Sequence, residues 1–138
     1  MPNTKTIRWN WLRGMYLYTA LGAGSVGLGL LGIPETLADL LNMPVQDPVM
    51  RGAVGSCYVA FGLLALMGLR APLRFLPVLL LQMVYKSVWL LVVFPPLVLQ
   101  GNPPLYSVLF ALIFATYVVG DIMAIPFHML FPKDDIPK

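Results

Sequence analysis

The chain has 138 residues, 59% of them hydrophobic and only 11% charged, with a formal net charge of +3. A soluble domain carries about 25% charged residues, and a chain this short with a mean hydropathy of +0.80 cannot hide its apolar surface from water. These figures exclude a soluble enzyme and a nucleic-acid binder, and leave lipid as the solvent.

The pattern predicts a single all-α domain over 1–138, a four-transmembrane-helix bundle with spans at 14–33, 49–69, 75–94 and 105–127. Each is close to the roughly 20 residues needed to cross a hydrocarbon core. Prolines in "PETLADLLNMPVQDP", "RAPLR" and "PPLVLQGNPP" punctuate the chain between spans, since proline lacks an N–H and disfavours helix in the residue before it. The first span follows a basic segment, but its apolar run exceeds the ~7–15 residues of a cleavable signal and no small-x-small site follows it. It is expected to be retained.

Within that span, "LGAGSVGLG" holds Gly22-x-Gly24-x-x-Gly27, with Asp47 further on where a ribose-binding acid would sit in a dinucleotide fold. That motif works only at a strand-to-helix turn, and here it lies inside an apolar helix. Glycine in lipid lets helices approach. Gly22, Ser25, Gly29 and Gly32 share one helical face, as do Gly52, Ser56 and Ala60 on the second span. The first two helices are therefore expected to touch through these faces, which would equally suit a partner subunit.

The first loop, "IPETLADLLNMP", places Ile33, Leu37, Leu40 and Leu41 at helical spacing, with Pro34 suited to a first turn. A short amphipathic helix at the outer interface is expected. Glu35 and Asp39 would form a solvated acidic face, or one of them would pair with Arg51. No metal site is expected. Cys57, the only cysteine, reads as a small buried hydrophobe. In the third span Gln82, Lys86 and Trp89 form a polar stripe, and Asp121 lies near the end of the fourth. Ionisable groups within a span cost about 2.5–3.5 kcal/mol and are usually directed at a bundle interior or a partner. Lys86 should therefore point inward, neutralised either through Gln82 bridging to Asp121 or by Glu35 approaching from the outer side. His128, the only histidine, excludes a bis-histidine haem within one chain and should lie at the end of the fourth helix. No catalytic residues are expected: no nucleophile–base set, P-loop or paired-cysteine motif occurs.

Lys5, Arg8 and Arg13 precede the first span, Arg70 and Arg74 flank the second loop, and Lys133 and Lys138 lie in the tail, against Arg51 alone in the first and third loops. The positive-inside rule then puts both termini in the cytoplasm, with Trp9, Trp11, Tyr16 and Tyr18 at the cytoplasmic interface.

The four-span pattern, with "IPE" after the first span, "DPVMRGAVGS" into the second, "YKSVWLL" in the third and "GDIMAIPF" ending the fourth, resembles the DoxX-like group of small bacterial membrane proteins across most of the chain. The resemblance implies a four-helix bundle in a bacterial inner membrane and permits an accessory role in a redox complex; it transfers no catalytic residue. The expected function is a non-catalytic membrane module that self-associates or joins a partner subunit, and that holds a lipid or quinone-like molecule near Lys86 rather than a fixed cofactor. The alternative is a small transporter or proton-linked carrier using Lys86 and Asp121.

Overall fold

The computed structural model describes residues 7–130, and Lys5, Lys133 and Lys138 of the charge argument lie outside them. The described chain consists of helices joined by short loops, and four of its helices are long and apolar enough to cross a membrane: Trp9–Gly32, Pro48–Arg70, Leu76–Leu99 and Leu105–Ala124. It is an all-α membrane protein. In chain order the elements are α1 (Trp9–Gly32), α2 (Pro34–Leu41), α3 (Pro48–Arg70), α4 (Leu76–Val88), a π-helical turn (Trp89–Val93), α5 (Phe94–Leu99), α6 (Leu105–Ala124) and α7 (Phe127–Leu130).

Local chemistry explains the boundaries. Pro34 stands in the first turn of α2, where its missing N–H costs nothing, and Asn42 ends that helix in the left-handed conformation that asparagine tolerates. The Asp47 carboxylate accepts from the Val49 and Met50 backbone N–H groups at 3.0 and 3.1 Å, so this acid caps α3. The third span does not stop at Phe94. The turn before Pro95 and Pro96 widens, with the Phe94 N–H donating to the Trp89 carbonyl five residues back. Such a π turn gives the proline rings room that a regular α-helix denies them, and the helix runs on to Leu99. The fourth span, in contrast, ends early at Ala124. His128 is thus not at its end but beyond the break, in the short α7.

The first two spans touch, as expected, but through different residues. The seam of α1 and α3 is formed by Gly24 and Gly27 against Gly55 and Gly62: a methyl on Gly62 would lie 2.7 Å from the Gly24 Cα, and one on Gly27 2.6 Å from the Val59 backbone N. Neither Gly62 nor Gly27 has room for a side chain. Of the face expected to pack, Gly22 meets Tyr117 of α6 and Gly29 meets Leu37 of α2, whereas Gly32 has nothing within 4 Å and Ser25 is exposed. On α3, Gly52 has open space beside it, and Ser56 and Ala60 are exposed. Cys57 is likewise exposed rather than buried, because α3 spends its packing face on α1 and turns the opposite side outward.

The bundle is packed unevenly. At the end where α1 begins, Leu12, Met15, Tyr16, Leu76, Leu79, Ala124 and Ile125 form a closed apolar core. Tyr16 is fully buried and donates to the Pro72 carbonyl at 2.6 Å, so it is a core residue and not an interface aromatic. Trp9 and Trp11 are 45% and 44% exposed, as interface rings should be, and the Trp11 indole donates to the Gly120 carbonyl at 3.0 Å, pinning the start of α1 to α6. Toward the other end a cleft of about 660 Å³ opens between α3 and α4 against α6, lined by aromatic side chains that include Phe61, Trp89 and Tyr106.

Candidate functional site

The polar residues of the spans meet at one point. Gln82, on the inward face of α4, is fully buried, as are Thr19 of α1 and Asp121 of α6, and Lys86 is 2% exposed. Glutamine four residues before lysine puts both side chains on one helical face, and α4 turns that face between α1 and α6.

The Thr19 hydroxyl has one hydrogen, with the Met15 carbonyl at 2.8 Å as its nearer acceptor and Gln82 Oε1 at 3.1 Å as a second, and its oxygen accepts from Gln82 Nε2 at 3.0 Å. The second hydrogen of that amide is shared between the two Asp121 oxygens, at 3.1 and 2.9 Å. Gln82 Oε1 then accepts from Lys86 Nζ at 3.3 Å. Both Asp121 oxygens thus face the same amide hydrogen, a geometry that an ionised carboxylate accommodates. Lys86 Nζ lies 3.6 Å from the centroid of the Tyr117 ring, with the Tyr85 and Phe114 rings at 5.0 and 5.5 Å. This is an aromatic cage around a cation. Lysine and aspartate balance each other's charge through the glutamine between them.

Tyr117 holds this arrangement from above. Its ring stacks on Tyr18 with centroids 4.1 Å apart and its hydroxyl donates to the Tyr18 carbonyl at 2.9 Å. Gly22 permits the pose, since a methyl there would lie 2.2 Å from the Tyr117 hydroxyl. Beside the stack is a cavity of about 210 Å³, into which Lys86 faces along with Gly22, Ser25, Tyr58, Tyr85 and Phe114.

Of the residues singled out in the sequence, Lys86, Gln82 and Asp121 come together. Trp89 does not join their hydrogen bonds; one turn further on, it packs edge-on against Phe114 and stacks on Phe94, where it lines the cleft between α3 and α4. Glu35 is exposed on α2, away from Lys86. Arg51 lines a separate cavity of about 180 Å³ near the start of α3, with Gln46, Met50 and Tyr58. Gly22 and Ser25 border the Lys86 cavity, whereas Gly29, Gly32, Gly52 and Ser56 do not line it. Among the described residues no group of three or more His, Cys, Asp or Glu side chains is placed to hold a metal ion.

Sequence reasoning missed Thr19, Tyr117, Phe114 and Tyr85. A signal existed for two of them: Phe114, Tyr117 and Asp121 recur at intervals of three and four, one helical face leading to the acid. Thr19 carried only the weaker signal of a hydroxyl in an apolar run.

Comparison with protein-family models, curated proteins and solved structures finds no match. Function is therefore read from the geometry of the site.

Proposed function

We propose that this protein is a non-catalytic module of the bacterial inner membrane, DoxX-like, with both termini cytoplasmic, that binds a lipid or quinone-like molecule at Lys86. The observation that carries the reading is the state of the Lys86 ammonium. It has three donors, is 2% exposed, makes one hydrogen bond among the described residues, to Gln82, and faces a cavity walled by aromatic rings. A buried donor left unmatched costs about 1–3 kcal/mol, more when charged, and a ligand oxygen would remove that cost.

The closed core on one side of the polar cluster supports this module over a carrier. A path from Lys86 toward the end where α1 begins would have to cross Leu12, Tyr16, Leu76 and Leu79, all at most 2% exposed. The outward-facing Gly52, Ser56 and Ala60 of α3 suit close packing with a second copy or a partner subunit, consistent with an accessory subunit of a redox complex.

Native mass spectrometry of the protein gently extracted from its membrane tests the reading. A lipid or quinone-sized adduct should be retained by the unaltered chain and lost from Lys86→Met. The same adduct on both proteins, or none on either, would refute a ligand site at Lys86.

A further inference from the structure

The shape and charge of the Lys86 cavity narrow the ligand further, on the premise that this cavity binds one at all. Three observations bear on it. The cavity is small: about 210 Å³, below the ~300–1,000 Å³ of pockets that enclose a drug-sized ligand, so it takes a head group and leaves the rest of an amphiphile outside. Its rim lies on the outside of the bundle. Tyr18 and Ile113 are 39% and 45% exposed and Ser25 is exposed, so the opening is sideways, between α1 and α6, into the acyl layer. The small side chains on the α1 side of the rim, Gly22 and Ser25, leave that opening clear, and the Ser25 hydroxyl is turned back onto the Gly22 carbonyl at 3.0 Å rather than into the mouth.

The third observation concerns charge. Asp121 already balances Lys86 through Gln82. A carboxylate or phosphate arriving at Lys86 would leave a net negative charge in a site walled by aromatic rings, and an uncompensated buried charge is strongly unfavourable. An uncharged carbonyl oxygen accepts a hydrogen bond from the spare Lys86 donors and leaves the balance intact.

We infer that the Lys86 cavity admits, laterally between α1 and α6, the uncharged carbonyl head of an amphiphile whose apolar body stays in the bilayer. This places Gly22, Ser25 and Ile113 at the entrance.

The test uses the full chain in detergent, titrated separately with methyl palmitate, with palmitate at pH 8 and with hexadecane, with binding read by native mass spectrometry. Methyl palmitate should bind at least tenfold more tightly than palmitate or hexadecane. That preference should vanish in Lys86→Met, and should be lost in Ser25→Trp and in Ile113→Trp, which fill the mouth from opposite sides. Leu66→Trp, on the exposed surface of α3 and lining neither cavity, should bind as the unaltered chain does. Palmitate binding as well as the ester would overturn the charge argument while leaving a ligand site at Lys86 standing. No preference of the unaltered chain for either headed molecule over hexadecane would remove both this inference and the proposed function. Undiminished binding in both rim variants would overturn the lateral route.

Discussion

At the scale of single residues, Gln82 decides how two opposite charges share an apolar interior. Lysine and aspartate in direct contact would each lose hydration for one interaction. With the amide between them, the carboxylate oxygens and the amide hydrogens all find partners, which is the condition under which a buried polar network is stable. Lys86→Met removes the cation and leaves Asp121 buried without its countercharge, so stability should fall by about 3 kcal/mol, in the range for breaking a buried pair. Adding Asp121→Asn removes the stranded charge. The double variant should recover most of the loss, a non-additivity that chemical unfolding in mixed micelles would measure as a coupling energy. Additive losses would mean that the two charges do not interact. Sequence alone pointed to Lys86, Gln82 and Asp121 because charge inside a span is expensive. It could not supply Tyr117 or Thr19, whose roles depend on which helix faces which.

At the scale of elements, the glycine-rich first span shows how a correct principle can select the wrong face. Small residues permit close approach, and α1 carries glycines on several faces. The choice among them belongs to the partner helix. Gly55 and Gly62 on α3 are matched by Gly24 and Gly27, the very glycines of the apparent nucleotide motif. Gly62→Ala should therefore lower stability by about 1–3 kcal/mol, the cost of overpacking, since the atom opposed is Gly24 backbone that has no rotamer to change. Gly52→Ala, with nothing within 4 Å, should be neutral or gain up to ~1 kcal/mol from helix propensity. Thermal melts of the two variants beside the unaltered chain check this; equal losses would place the seam elsewhere. The third span carries a similar lesson. Two adjacent prolines read as a helix end, but the preceding π turn absorbs their steric demand, and no residue pattern announces such a turn.

At the scale of the molecule, the bundle is closed at one end and open at the other. The end where α1 begins has the continuous core, the buried Tyr16 hydroxyl bond and the Trp11 anchor. The opposite end has the cavity at Lys86 and the cleft between α3 and α4. Arg8, Arg13, Arg70 and Arg74 belong to the closed end, and Arg51 to the other. The proposed orientation, with the closed end toward the cytoplasm, rests on the positive-inside rule and is open to test. In a Cys57→Ala background, Gln100→Cys should react with an impermeant thiol reagent applied from outside, and Asn3→Cys, beyond the described residues, should react only after permeabilisation. The reverse pattern would invert the orientation.

Four apolar runs of bilayer length, the helix in the first loop and the inward demand of Lys86 were all legible in the sequence. Each follows from a local cost, whether an unsatisfied backbone, exposed apolar surface or a charge in lipid, and such costs can be read without knowing any neighbour. The tertiary structure decided which glycines form the seam, that Cys57, Ser56 and Ala60 face outward, that Gln82 rather than Glu35 reaches Lys86, and that aromatic rings from α4 and α6 cage the ammonium. These depend on the rotation of each helix about its axis. In a span that is apolar on every side, hydrophobic periodicity hardly distinguishes one rotation from another, and only the fit of side chains between helices selects it.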